Sequence, residues 1–344
     1  MAKHLFLAST PFNVLTAAMI AFELPVGDDA ELGLIDQTDT TATFRHAVLH
    51  WTDSPFNQVH QLSQQAKGKH KRAQRKQAFE NIAQCLKQLS PDWIYTGNDR
   101  RIEFQYAMAH SSARGIYVDD GTYSYLGRPS HWLKDQVIDN LVKKVAYGRW
   151  WNQPPAIGAS DWIDHSVLAF PDSAIDILKL RPCKQLPSNL GRSEFSSLAH
   201  LCLETGPDVL PELTGLLLLP HESAITESQT QMGNWLSNCA PPAGYKHHPR
   251  TTDANRSREA LTTVWHLPAD AHSVEPSIPM EILLPLLRPD CKIAGDASTA
   301  LLTAKWLRPE LDVSAFITAD TSSDWTALLK RLNINISISE PAGS

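Results

Sequence analysis

Four short stretches of the chain bring together residue types able to do acid–base or phosphate chemistry. Asp119-Asp120-Gly121 follows the strand-like Gly115-Ile116-Tyr117-Val118, so two carboxylates leave the carboxyl end of a strand, where open α/β sheets bind ligands. A carboxylate there can take the proton of an attacking hydroxyl, and a neighbouring like charge raises its pKa toward neutrality. The same residues also make an ordinary Asp-Gly turn with solvated acids. Lys246-His247-His248-Pro249-Arg250 places four cationic or potentially cationic side chains in five positions, with the proline holding His248 extended. Such a group can hold a phosphate, and an imidazolium can donate a proton to a departing phosphate oxygen; a solvated loop is the other reading. Ser298 and Thr299 follow strand-like Lys292-Ile293-Ala294 and open an apolar helix. They are either a simple N-cap or a phosphate site at the positive end of that helix. Glu281, in Pro279-Met280-Glu281-Ile282, either accepts from ribose hydroxyls or complements a helix dipole.

The elements needed to position these groups can be read from periodicity. Leu5–Ala8 is strand-like and stops at Ser9-Thr10-Pro11, after which Asn13–Glu23 carries apolar residues at helical spacing. Asp92–Thr96 repeats the pattern before Gly97-Asn98-Asp99 and the helical Arg101–Ala109. Prolines break the pattern between Trp150 and Thr214, as expected of an interdomain stretch. Strands are then expected at Gly215–Leu219, Thr262–His266, Lys292–Ala294, Val313–Thr318 and Ile334–Ile338. Helices are expected at Met280–Leu287, Thr299–Leu307 and Asp324–Leu332. Strand–helix alternation predicts an α/β fold with parallel sheets: two Rossmann-like domains facing across a cleft, residues 1–205 and 206–344.

Composition excludes several classes. With 31 Lys+Arg against 37 Asp+Glu in 344 residues, the net charge of −6 argues against a surface built throughout to hold nucleic acid. The five cysteines are widely spaced with no CxxC pair, and read as buried free thiols. No apolar run approaches the length of a membrane span, and the start of the chain lacks a signal-like core, so a cytoplasmic protein is expected. The basic run from Lys67 to Lys76 reads as a solvated loop and first helical turn, with a phosphate group or an anionic membrane surface as its other partner. That run and the segment Lys143-Lys144 to Arg149-Trp150-Trp151 are the places through which the protein would associate peripherally with the inner membrane. DxD, GxxxxGK[ST], GxSxG, GxGxxG and HExxH are all absent, and a monophosphate leaving group suits the residues better than a metal-bound diphosphate.

Taken in order, Asp119-Asp120-Gly121, His248-Pro249 and Ser298-Thr299 resemble the motifs of the bacterial GT-B sialyltransferases, in particular the lipooligosaccharide sialyltransferase and polysialyltransferase families. Ser9-Thr10-Pro11-Phe12-Asn13-Val14-Leu15, the stretch Tyr95 to Arg101, and Pro279 to Leu284 are also similar. The resemblance implies an inverting glycosyltransferase that takes sialic acid from CMP-sialic acid to a glycan hydroxyl, with no metal or other cofactor. It further implies a general base from Asp119 or Asp120, His248 stabilising the departing CMP, Ser298 and Thr299 on its phosphate, and Glu281 on its ribose, with Lys246 and Pro249 completing the nucleotide site. Strand alternation sends Asp119 and Asp120 to opposite faces, and the preference falls on Asp120. Asn98, Asp99, Arg101 and Gly121 are the acceptor-side candidates. His221 and Glu222 are weaker candidates after strand Gly215–Leu219. The alternatives are a transferase of another CMP-activated acid sugar (Kdo, pseudaminic or legionaminic acid) and a non-catalytic CMP- or glycan-binding homologue.

Overall fold

The computed structural model of the chain describes residues 1–66, 68–127, 139–203, 210–221, 230–249, 251, 258–259, 261–263, 265–276 and 278–339. The chain divides into two compact units, Met1–Asn189 and Leu190–Ser344. The boundary expected after residue 205 lies outside the described residues, as do Lys67, Glu222 and Arg250.

Unit 1 is built on seven parallel strands: β1 (Lys3–Ala8), β2 (Asp29–Leu34), β3 (Gln58–Gln61), β4 (Trp93–Thr96), β5 (Arg114–Val118), β6 (Ile163–Leu168) and β7 (Cys183–Gln185). Their order is β3-β2-β1-β4-β5-β6-β7. Central β1 pairs β2 on one side and β4 on the other, and its residues from His4 to Ala8 are all buried. Near-continuous burial is expected of a parallel strand covered on both faces. The flanking helices Lys71–Leu89 and Ile102–Ala109 send Ile82, Cys85, Leu86, Phe104 and Ala107 into a core shared with Leu5, Leu7 and Ile94. The edge strand β3 reads Gln-Val-His-Gln, a polar edge of the kind that discourages pairing with another chain.

Unit 2 has six parallel strands: β8 (Gly215–Leu218), β9 (Ala243–Lys246), β10 (His272–Val274), β11 (Lys292–Asp296), β12 (Asp312–Thr318) and β13 (Asn335–Ser339). Their order is β10-β9-β8-β11-β12-β13, the doubly wound arrangement that reverses direction between its first and fourth strands. The expected α/β architecture of two Rossmann-like units is therefore present. All five cysteines are free thiols, with Cys85, Cys202 and Cys291 buried. None of the described helices is long and apolar enough to cross a membrane.

Two expectations need correction. Trp150 to Thr214 is more than a connector, because it contains β6 and β7 of the first sheet. Its prolines stand mostly between strands, and Pro182 accepts a hydrogen bond from Ser166 N at 2.9 Å, part of the β6–β7 pairing. Thr262–His266 is not a strand, since Leu261, Thr262 and Thr263 are helical. The Thr262 and Thr263 hydroxyls donate to the carbonyls of Arg258 and Glu259 four residues back, at 2.9 and 3.0 Å, which satisfies them within a helix. Leu261 and Trp265, four apart, are both fully buried.

Candidate active site

In each sheet the ligand edge is the carboxyl end of the strands at the point where their order reverses. In unit 1 that point lies between β1 and β4, with β5 next in order. β1 runs into the helix Pro11–Ala21, capped by Thr10, whose hydroxyl accepts from Asn13 N at 3.2 Å. The cap and Pro11 fix the first turn, and the turn fixes Asn13. Asn13 Nδ2 donates to Asp120 Oδ1 at 3.3 Å, while its own Oδ1 accepts from the Ser9 hydroxyl at 3.1 Å. Gly97, just past β4, makes room for this pair: a Cβ there would lie 2.3 Å from Asn13 Nδ2 and 3.2 Å from Asp120 Oδ1.

Asp119 and Asp120 have different partners. Asp119 is 1% exposed. Its carboxylate accepts from Gly121 N at 2.7 Å, Ala169 N at 2.8 Å, the Ser124 hydroxyl at 3.2 Å and the Tyr125 hydroxyl. With every accessible lone pair occupied, Asp119 ties β5, its following turn and the end of β6 together. Gly121 takes the positive φ of +79° that this turn requires. Asp119→Ala leaves several buried donors without an acceptor, and is expected to cost about 2–4 kcal/mol of unfolding free energy in a urea titration. Asp120 is partly exposed, with Asn13 as a hydrogen-bond partner. Burial pushes its carboxyl up to about 7, opposed by the Asn13 hydrogen bond and the charge of Arg101 and supported by the charges of Asp119 and Asp99. A carboxyl titrating there can both accept a proton and release it near neutral pH.

The acceptor-side candidates separate in the same way. Arg101 forms an ion pair with Asp36, which follows β2, and its charge acts on Asp120. Asn98 shapes the loop after β4, its N–H donating to the Thr96 hydroxyl and its Oδ1 accepting from Arg100 N. Asp99, expected among the groups open to an acceptor, is fully buried and accepts from Gly158 N at 2.9 Å and Ser160 N at 2.8 Å. It is a positioning residue for the loop ahead of β6, with its carboxyl pushed up to about 6 by burial.

In unit 2 the order reverses between β8 and β11. His221 follows β8, His248 follows neighbouring β9, and their rings meet edge to face with centroids 5.5 Å apart. A turn closed by Thr251 N on the His248 carbonyl, at 2.9 Å, holds that loop, with Pro249 exposed in it. β11 leads to Ser298, the extended N-cap of the helix Thr299–Leu307. The Ser298 side chain makes no capping hydrogen bond, and Ser298 and Thr299 are both partly exposed. His221, His248 and Ser298 thus leave three adjacent strands at the edge where this fold receives nucleotides. His247 turns the other way, 2% exposed against the Tyr245 ring.

Lys246 and Glu281 form a separate buried arrangement. Lys246 Nζ donates to the carbonyls of Glu275 and Pro276 at 3.4 and 2.8 Å, tying β9 to the segment after β10. Burial lowers its pKa to about 8, against the raising charges of Glu281 and Glu275. Glu281 is 7% exposed, and burial pushes its carboxyl up while the charge of Lys246 holds it down. Among the described residues, Glu31, His60 and Cys85 bring one potential metal-ligand atom each within 4.8 Å of one another, on β2, β3 and the helix Lys71–Leu89 rather than at the ends of β1, β4 and β5.

Of the neighbours of Asp120 and His248, Arg101 and His221 are already candidates in the sequence, whereas Asn13 enters only within the Ser9 to Leu15 resemblance. Its position just past a central strand is the signal that could have singled it out.

No family model matches the chain, and no curated protein does. Solved structures do match. A UDP-N-acetylglucosamine 2-epimerase superimposes with a TM-score of 0.58 at 11% identity, over 99% of this chain and 84% of that one. The GT-B domain of a sialyltransferase from Photobacterium damselae gives 0.54 at 12% identity, over 99% of this chain and all of that one. The chain has the GT-B fold. A further Photobacterium sialyltransferase structure gives 0.52 at 13% identity, over 98% of this chain and 81% of that one. At these identities the likeness establishes the GT-B fold alone, and the chemistry has to be argued from the side chains.

Proposed function

We propose that the protein is an inverting glycosyltransferase that moves sialic acid from CMP-sialic acid to a glycan hydroxyl. The observation that carries this reading is Asp120, a partly exposed carboxyl titrating at about 7 at the ligand edge of unit 1. In the proposed reaction the acceptor hydroxyl gives its proton to Asp120 as its oxygen bonds the anomeric carbon of the donor. The bond from that carbon to the phosphate oxygen breaks, and CMP leaves with the electron pair. His248 faces the departing phosphate and stabilises its charge by hydrogen bonding or proton donation, and Ser298 and Thr299 add hydroxyl and backbone donors from the helix start. One phosphate can be balanced by such donors without a metal. A second CMP-activated acid sugar as donor would use the same residues, since they address the nucleotide and phosphate.

Two of the structural neighbours are sialyltransferases and another is an epimerase of a UDP-sugar, so nucleotide preference discriminates between readings. CMP at about 100 times its Kd should stabilise the protein by about 2.7 kcal/mol, read as a rise in Tm. UDP and UDP-N-acetylglucosamine at the same concentrations should leave Tm unchanged. A rise with the uridine nucleotides and none with CMP would overturn the proposed donor.

A further inference from the structure

A second cluster of chemistry-bearing side chains lies on the flank of the first sheet, away from the strand ends. Glu31 sits within β2, His60 on the edge strand β3, and Cys85 on the helix Lys71–Leu89. Parallel pairing sets Glu31 beside Leu5, and sets Gly33 between Leu7 and His60, so Glu31 and His60 leave the sheet on the face that carries Leu5 and Leu7. Leu5 and Leu7 pack in one core with Ile82, Cys85 and Leu86 of the helix. Asn81, one turn before Cys85, donates to the Leu62 carbonyl just after β3 at 3.1 Å, which ties this part of the helix to the edge strand.

The three side chains converge. His60 Nε2 lies 2.6 Å from Glu31 Oε2, and one nitrogen, one oxygen and one sulfur from the three residues all lie within 4.8 Å of one another. In a tetrahedral zinc site with bonds of about 2.0–2.3 Å the ligand atoms stand about 3.3–3.7 Å apart, so side-chain movements of about 1 Å complete the geometry. Cys85 is 2% exposed, while the side chains of Glu31 and His60 are 12% and 13% exposed. The cluster is thus closed on the thiol side and open at the other two groups, where an ion and a water can enter. An ion pair between Glu31 and His60 accounts for two of the groups and gives the thiol no part.

The donor set selects the ion. A thiolate, an imidazole and one carboxylate suit a borderline cation such as zinc, whereas magnesium and calcium take oxygen ligands. Burial and the charge of Glu31 push the Cys85 thiol up to about 12, and a coordinating cation overcomes this because it deprotonates the thiol outright.

We propose that Glu31, His60 and Cys85 form a binding site for a zinc-class divalent cation, with water as the fourth ligand, that clamps β2 and the edge strand β3 to the helix Lys71–Leu89. On binding, Cys85 releases its proton to solvent and bonds through the thiolate, Glu31 bonds through a carboxylate oxygen, and His60 bonds through a proton-free ring nitrogen. The ligands stand within the strands rather than past their carboxyl ends. The inference is therefore independent of the proposed transfer reaction and gives the cation no part in it.

Titrating Co²⁺ into the untagged, metal-free full chain tests the site, because thiolate ligation gives a sulfur-to-cobalt absorption in the near ultraviolet. One Co²⁺ per chain should bind with that absorption, and Zn²⁺ should displace it with a Kd below about 10 μM and raise Tm. Cys85→Ser should lose the absorption, whereas Cys183→Ser, at a partly exposed thiol elsewhere, should keep it. His60→Gln and Glu31→Gln leave the buried thiol in place and should each weaken Zn²⁺ binding by more than about tenfold, a loss that even the outer partners of a metal cause. Circular dichroism of each metal-free variant checks the fold, and if Cys85→Ser does not fold, the other two variants decide. Absence of the absorption, its survival in Cys85→Ser, Zn²⁺ binding weaker than that limit, or His60→Gln and Glu31→Gln variants that bind Zn²⁺ as tightly as the wild type would overturn the proposal.

Discussion

Asp120→Asn is expected to lower the rate of sugar transfer by about 10²-fold or more while the protein stays folded, since removing a general base costs about that much. The substitution keeps the shape of the side chain and its contact with Asn13 but takes away the group that accepts the proton. The wild-type kcat/KM should rise with pH as this carboxyl ionises at about 7, because only the ionised form is a base. Asp120→Asn should lack that limb. Stability moves the other way. A carboxyl raised from its ordinary value of 3.8 to about 7 by folding makes the native state bind more protons than the unfolded chain across that range, so its ionisation erodes stability as pH rises through it. Asp120→Asn should therefore melt no lower than the wild type at pH 8. Asp119→Asn should melt lower, because it disturbs a carboxylate with several buried donors. A common loss of stability in both variants would contradict the division of roles.

His248→Ala is expected to have the second large effect, also about 10²-fold, and to act on the departure of CMP. The loss should appear in kcat with a smaller change in the KM for donor, since a group that meets charge developing on the leaving phosphate acts mainly in the transition state. His221→Ala, which removes the ring that packs edge to face on His248, should have a smaller effect on kcat than His248→Ala. If His248→Ala raised the donor KM and left kcat alone, His248 would be a binding residue only.

Much of this architecture is legible in the residues, and the exceptions have physical reasons. Central strands such as β1, β5, β8 and β11 are largely apolar and stop at Ser9, at Asp119, before Leu219-Pro220 and at Asp296, so both the strand and its ligand edge can be read. β3, β7 and β10 are short and polar because they lie at or near sheet edges, where only part of the strand is covered. β2 and β6 carry Glu31, Asp164 and His165 inside the strand, which hides the alternation. Thr262 and Thr263 favour a strand by type, yet their hydroxyls find carbonyls one helical turn back.

The candidate site divides similarly. That Asp119 and Asp120 leave a strand end on opposite faces follows from a period of two, whereas the donors around Asp119 come from Gly121, Ser124, Tyr125 and Ala169, and Ala169 lies beyond a second strand. No local spacing reveals such a partner. Asp99 has the same history, with Gly158 and Ser160 arriving from far along the chain. The basic run at Lys67 to Lys76 looks like solvated surface in isolation. Only the fold brings Lys71 and Arg75 beside Arg101, Lys143 and Trp151.

The most direct test of the central claim is to incubate the protein with CMP-sialic acid and a panel of neutral and acidic glycans in the presence of EDTA, and to follow CMP release together with the glycosylated product. The account predicts CMP formation dependent on the acceptor and lost in Asp120→Asn. Absence of any acceptor-dependent CMP release across CMP-activated acid sugars, or full activity in Asp120→Asn, would contradict it.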